Sequence, residues 1–317
     1  MDGLPFWAHI PALAVEIVLL FLGGDRLVAG AVGIARRLRM SRMAIGATVV
    51  ALGTSLPELL VSTVAALGGH EAVATGNVLG SNVANVGLVL GVGALLTPVV
   101  VRSTATRGLL AMYLAFTVAL GAAVWFLPGE EITTPLALVM LAALVTVILW
   151  LLRRPEPAEP EDTTPCRTMA ISVALVGLGG VLLYIGAETF VASAVIVAGR
   201  FGVSDLVIGV TVVALGTSLP ELATTVVAGL KGEGDVGVGN VVGSNLFNLL
   251  LILGTVALIR PLPLPLRSDP TMLAHYGVMA LFGLLLLPVV LRGRAGRWYG
   301  GLLLAAYGAA LAGYVLL

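Results

Sequence analysis

The sequence predicts an all-α integral membrane protein of ten transmembrane helices in two inverted five-helix repeats, with Pro-broken helices at the core. Three observations predict it: an apolar composition, apolar runs of spanning length, and a long internal repeat whose copies lie five spans apart. Hydrophobic residues make up 59% of the chain and charged residues 11%, with a mean hydropathy of +1.08. That is too little charge to cover the surface of a soluble domain of 317 residues. Runs long enough to cross a hydrocarbon core, roughly 20 residues each, recur along the whole length, so the expected surroundings are a lipid bilayer. The net charge of +0 provides no field for a polyanion, so no nucleic acid is expected as partner. The single cysteine, Cys166, has no disulfide partner and no companion metal ligands.

Charged, Pro-rich and Gly-rich punctuation places the helices at about 6–35, 43–68, 72–97, 108–127, 132–152, 168–199, 205–230, 236–259, 270–291 and 298–317. The first run lacks a basic segment before it and a small-residue cleavage site after it, and reads as a retained span. The stretch from Arg153 to Arg167 holds Pro155, Pro157, Pro160, Pro165 and four acids, and such a composition cannot bury a core. The chain therefore divides into a first repeat over 1–152, a cytoplasmic linker over 153–167 and a second repeat over 168–317. Of the seventeen Lys and Arg residues, thirteen fall in connections on one side, three on the other, and Arg26 lies within the first span. Basic connections stay cytoplasmic, so an even number of spans puts both termini outside.

The repeat is the most informative feature. Residues 46–91 and 209–254 align without a gap at an offset of 163, with 28 of 46 positions identical. The block TVVALGTSLPEL occurs at 48–59 and again at 211–222, and GSN occurs at 80–82 and 243–245. The same offset pairs Asp25 with Glu188. Five spans separate equivalent points, so the second copy faces the opposite way, as in secondary transporters with a site near the bilayer midplane.

Glu58 and Glu221 fall near the middle of their spans, where an ionised carboxylate costs at least a few kcal/mol. No Lys or Arg occurs within those spans to pair with them, which makes an added cation the simplest partner. Pro57 and Pro220 remove a backbone donor and crowd the carbonyl one turn earlier, breaking the helix and freeing the carbonyls around Ala51 to Gly53, with a twin cluster at Ala214. Thr54 and Thr217 lie one turn before the acids and point to the same side. On the next span Asn77, Ser81 and Asn85 share one face, repeated as Asn240, Ser244 and Asn248. Ser81, Asn85, Ser244 and Asn248 suit either ion ligation or bonding across helices, whereas Asn77, Asn82, Asn240 and Asn245 read as structural. Asp25 and Glu188 read as caps or as partners for Arg26, with an ion pathway as the alternative. Glu16 has no acidic counterpart, position 179 being Gly. Oxygen-only ligands suit hard cations such as Ca²⁺, Na⁺ or Mg²⁺. The repeat offers no His partner and no activated nucleophile, so no enzyme and no cofactor are expected.

GTSLPE followed by GSN-x-x-N, twice in inverted halves, resembles the two alpha-repeats of the cation/calcium exchanger superfamily, and most of all the prokaryotic sodium/calcium exchangers. The resemblance implies antiport of Ca²⁺ against Na⁺ in the cell (inner) membrane by a protein acting as a monomer, with spans one and six sliding over a fixed core. It also implies the ion ligands: the carbonyls of Ala51 and Ala214, with Thr54, Ser55, Glu58, Ser81, Asn85, Thr217, Ser218, Glu221, Ser244 and Asn248. Several exchangers of this kind carry Asp where this chain has Asn248, so only two formal negative charges remain. Antiport of Ca²⁺ against H⁺, or of a monovalent cation against protons, is the alternative.

Overall fold

The computed structural model describes residues 6–153, 168–200 and 216–316. Among them seven helices are long and apolar enough to cross a membrane, or eight if one bent pair counts as a single span. In chain order they begin with α1 (Phe6–Leu38), the bent pair α2 (Arg42–Thr54) and α3 (Leu56–Leu67), and α4 (Glu71–Leu96). Next come α5 (Ala105–Phe126), α6 (Thr134–Leu152) and α7 (Met169–Arg200). The short apolar α8 (Leu219–Leu230) precedes α9 (Gly234–Ile259), α10 (Pro270–Leu284), α11 (Leu287–Arg292) and α12 (Arg297–Leu316). The expected linker beyond Arg153 and the first part of the 205–230 span lie outside the described residues.

Two boundaries shift from the sequence expectation, each for a physical reason. The helix expected from 132 begins at Thr134, because Glu131 and Ile132 form β2 and pair with Leu262–Pro263, β3. The helix expected over 270–291 is interrupted at Leu285 and Leu286, just before Pro288, which lacks the N–H needed to continue it. A second ladder pairs Val99–Val100 (β1) with Arg294–Ala295 (β4).

The core forms around α4 and α9. In each of their apolar windows 78% of residues are buried, against 22% for α7, so these two helices run through the centre and α7 lies outermost. Glycines bring α9 onto α2: a methyl at Gly243 would sit 2.6 Å from the Cα of Ala47, and one at Gly239 2.7 Å from the Met43 carbonyl. Outward-facing Val118, Phe126, Val139 and Trp298 are exposed, as an apolar solvent permits.

Helices α1 and α7 form a peripheral antiparallel pair in backbone contact. A methyl on Gly179 would meet the Leu27 nitrogen at 2.5 Å, and one on Gly30 the Ser172 carbonyl at 2.6 Å. Further along the same seam the Ser193 hydroxyl donates to Glu16 Oε1 at 2.8 Å, with Glu16 buried. That bond gives the buried Glu16 carboxylate, left unassigned by the repeat, a place in the α1–α7 contact.

Candidate ion-binding site

The site forms where both repeat motifs meet the central helices. Helix α2 ends at Thr54, and the chain turns by 45° through Ser55 into α3, whose first turn carries Pro57. Ser55 takes φ −86° and ψ 7°, and its repeat equivalent Ser218 takes φ −89° and ψ 3° before α8. The same sequence gives this serine the same backbone angles twice. The Ala51 carbonyl, expected to be freed, still accepts from the Ser55 N–H at 3.0 Å and from the Thr54 hydroxyl at 3.3 Å. Pro57 removes the i+4 donor of Gly53, so within the expected Ala51–Gly53 stretch the break acts at its last carbonyl. Ala214 lies outside the described residues.

Glu58 and Glu221 are both fully buried. The hydroxyl of Ser55, from the first motif, donates to Glu221 Oε1 at 3.1 Å across the two repeats. Ser244 lies 3.4 Å from the same oxygen. Thr54 donates to Asn240 Oδ1 at 3.1 Å and approaches Ser244 at 3.4 Å. Among the described residues, both oxygens of Glu58 and Oε2 of Glu221 have no hydrogen-bond partner, nor have the hydroxyls of Thr217 and Ser218. Ser81 is buried with them.

The asparagines divide by role. Asn77 Nδ2 donates to Ser62 at 3.0 Å and to the Glu58 carbonyl at 3.4 Å, and Asn240 Nδ2 repeats this with Thr225 at 3.2 Å and the Glu221 carbonyl at 3.5 Å. These bonds tie each acid-bearing helix to its neighbour. Asn85 Nδ2 donates to Asn245 Oδ1 at 3.0 Å, and Asn248 Nδ2 donates to Asn82 Oδ1 at 3.1 Å. With their amide nitrogens engaged, Asn85 and Asn248 are left with buried Oδ1 atoms that have no donor. Both begin or sit within widened helical turns, Asn85–Leu90 and Phe247–Ile252, a distortion that often accompanies functional residues.

One buried polar side chain next to the acid escapes sequence reasoning. Thr224, one turn after Glu221, is fully buried with an unpartnered hydroxyl, and its repeat equivalent is Val61, so the repeat carries no signal for it. Asn82 and Asn245 do read as structural, but their orienting hold on Asn248 and Asn85 needs the contact between α4 and α9.

Buried polar groups are normally bonded. A cluster of acceptor oxygens without donors, three of them on carboxylates, is suited to a positively charged partner. Among the described residues no three His, Cys, Asp or Glu gather to hold a metal. The cluster therefore offers two carboxylates supplemented by hydroxyl and amide oxygens, a donor set for hard cations and not for zinc or copper.

Fold and composition define an all-helical membrane transporter. The sequence model of the sodium/calcium exchanger protein family matches residues 9–153 and 171–315, and the chain belongs to that family. It is 40% identical over 257 residues to the putative antiporter CaxA of Alkalimonas amylolytica, covering 78% of this chain and 79% of that protein. It is 31% identical over 342 residues to the sodium/calcium exchanger MaX1 of Methanosarcina acetivorans, covering 93% and 95%. The sodium-calcium exchanger NCX_Mj, in crystals soaked with 10 mM Na⁺ and zero Ca²⁺, superposes with a TM-score of 0.82 at 31% identity over 97% of this chain and 99% of that one.

Proposed function

We propose that this protein is a secondary active antiporter that exchanges Ca²⁺ for Na⁺ by alternating access at the Glu58–Glu221 cluster. The observation that carries the proposal is the set of buried oxygens without donors: Glu58 Oε1 and Oε2, Glu221 Oε2, Asn85 Oδ1, Asn248 Oδ1 and the hydroxyls of Thr217 and Ser218. The transported ion is held by these atoms together with Thr54, Ser55, Ser81 and Ser244, and by the Ala51 and Ala214 carbonyls, the Ala51 carbonyl giving up its bond from the Thr54 hydroxyl. Two facing carboxylates repel and resist closure in a dry bilayer. One Ca²⁺ or two Na⁺ neutralise them, so only the loaded carrier changes access and transport becomes exchange.

The architecture that serves this mechanism is ten spans in two inverted halves, 1–152 and 168–317, joined by a cytoplasmic linker over 153–167. Both termini are extracytoplasmic, and the protein works as a monomer in the inner membrane with no bound cofactor and no catalytic reaction. The pairings between connections support the alternation. Arg42 with Glu233, the Arg102 N–H with Asp235, and β1 with β4 tie one set of connections. Glu71 with Arg260, Glu130 with Arg267, and β2 with β3 tie the other.

The test is uptake of ⁴⁵Ca²⁺ into liposomes driven by an outward Na⁺ gradient. The expected result is uptake in the wild type and its loss in Glu58→Gln and Glu221→Gln. Uptake indifferent to both substitutions would refute the assignment. Asn248, neutral where several exchangers carry Asp, favours a second reading in which H⁺ is the coupling ion. Uptake driven by a pH gradient and not by Na⁺ selects it.

A further inference from the structure

The repeat makes equivalent positions directly comparable, and at the α1–α8 contact the two halves differ. A methyl on Gly24 of α1 would lie 3.2 Å from the Ala223 carbonyl on α8, so the two backbones nearly touch. Beneath this contact Thr224 and Val227 of α8 are 0% and 1% exposed. Their repeat equivalents on α3, Val61 and Val64, are 39% and 67% exposed, since α7 does not pack along α3 as α1 packs along α8. The site shows the same asymmetry. Ser55 bonds Glu221, but among the described residues the Ser218 hydroxyl and the Glu58 carboxylate have no hydrogen-bond partner.

An ion pair fastens the closed side. Lys231, at the end of α8, lies 2.6 Å from Asp25 Oδ1 and also donates to the Asp25 carbonyl at 3.2 Å, and Arg26 holds Asp25 Oδ2 at 2.8 Å. The mirror position of Asp25 is Glu188, which is exposed and has no ion pair or hydrogen bond among the described residues. The mirror position of Lys231 is Gly68, and that of Arg26 is Thr189. The glycine that lets α1 approach α8 is also unmatched, its equivalent being Ala187.

From these differences we infer that Asp25 and Lys231 form a one-sided latch that holds access shut at the arginine-rich face, and that the equivalent positions Glu188 and Gly68 form none at the opposite face. In an inverted repeat the second access state is the first with the roles of the halves exchanged. In that state α7 covers Val61 and Val64, Glu188 comes opposite Gly68, and the Asp25–Lys231 pair is broken. One state carries an ion pair that the other lacks, so the resting equilibrium is biased toward closure at the arginine-rich face. This rests on the inverted-repeat reading proposed above, but not on which ion is carried.

The test is the rate at which a membrane-impermeant maleimide, applied from the arginine-rich face, labels Val227→Cys in a Cys166→Ser background. The expected result is slow labelling that Lys231→Met speeds about threefold, the scale of a half-exposed ion pair, and that Lys231→Arg leaves unchanged. In parallel, Val64→Cys labels from the opposite face and slows with Lys231→Met, which a merely frayed helix end would not produce. Gly68→Lys supplies the missing partner of Glu188 at a position where a side chain meets nothing closer than 3.4 Å. It is expected to speed labelling at position 227 with Lys231 intact. Equal labelling in the parent and Lys231→Met, or no effect of Gly68→Lys, would overturn the latch. Because labelling needs no flux, a failed Ca²⁺ uptake assay beside a positive labelling result would count against the transport reading alone.

Discussion

At the scale of single residues, the orientation of Asn85 and Asn248 is set by the side-chain amides of Asn245 and Asn82. Removing Asn82 Oδ1 leaves the Asn248 amide nitrogen with no buried acceptor and lets the side chain turn its nitrogen toward the cluster. Groups that orient a metal ligand are typically worth about 10-fold to 100-fold in affinity. Asn82→Ala is therefore expected to raise the Ca²⁺ concentration for half-maximal uptake about tenfold, with less change in maximal rate. A second residue, Glu130, adopts a left-handed φ of 51° and is buried beneath the 260–269 connection. Burial pushes its carboxyl up, but the backbone N–H groups of Arg267 at 2.5 Å and Ser268 at 3.2 Å, with the Arg267 guanidinium, outweigh this and hold it below its ordinary value. A depressed folded-state value means the stabilisation is fully present above the unfolded value of about 4.3 and is lost as pH falls through the folded one. Glu130→Gln should thus lower the thermal midpoint most at neutral pH, and the gap from wild type should close as the solution is acidified below about pH 4. A constant gap across that range would contradict it.

At the scale of elements, the bends follow from local sequence and the contacts between helices do not. Pro57 and Pro220 predict where the helices break, because a missing N–H acts on its own chain. The identity of the freed carbonyl is less legible: Thr54 and Ser55 both turn back onto Ala51, which periodicity cannot foresee. The widened turns at Asn85–Leu90 and Phe247–Ile252 have no sequence signal of their own. They form where α4 and α9 cross and exchange amide bonds. The α1–α7 seam is equally hidden, since its glycines matter only against the partner backbone. Gly179→Ala would place a methyl 2.5 Å from the Leu27 nitrogen, and backbone cannot yield as a flexible side chain does. The expected cost is about 1–3 kcal/mol of stability, read as a lowered thermal midpoint in detergent. Gly180→Ala, with nothing within 4 Å, serves as the control.

At the scale of the whole molecule, the duplicated motif made the cluster of acids readable because each copy repeats its chemistry unit by unit. The differences between the halves were readable only as substitutions, such as Lys231 for Gly68, without the conformation that gives them meaning. Packing supplies that meaning by burying Val227 and leaving Val64 open. In the proposed reading, two like charges share a dehydrated centre and a positively charged guest reconciles them with the bilayer. The most direct measurement is anomalous diffraction from crystals grown with Ca²⁺. The account expects a peak bridging the Glu58 and Glu221 carboxylates at about 2.3–2.6 Å from their oxygens, absent from Glu58→Gln crystals. Peaks confined to the surface, with the two carboxylates bare at saturating Ca²⁺, would contradict it.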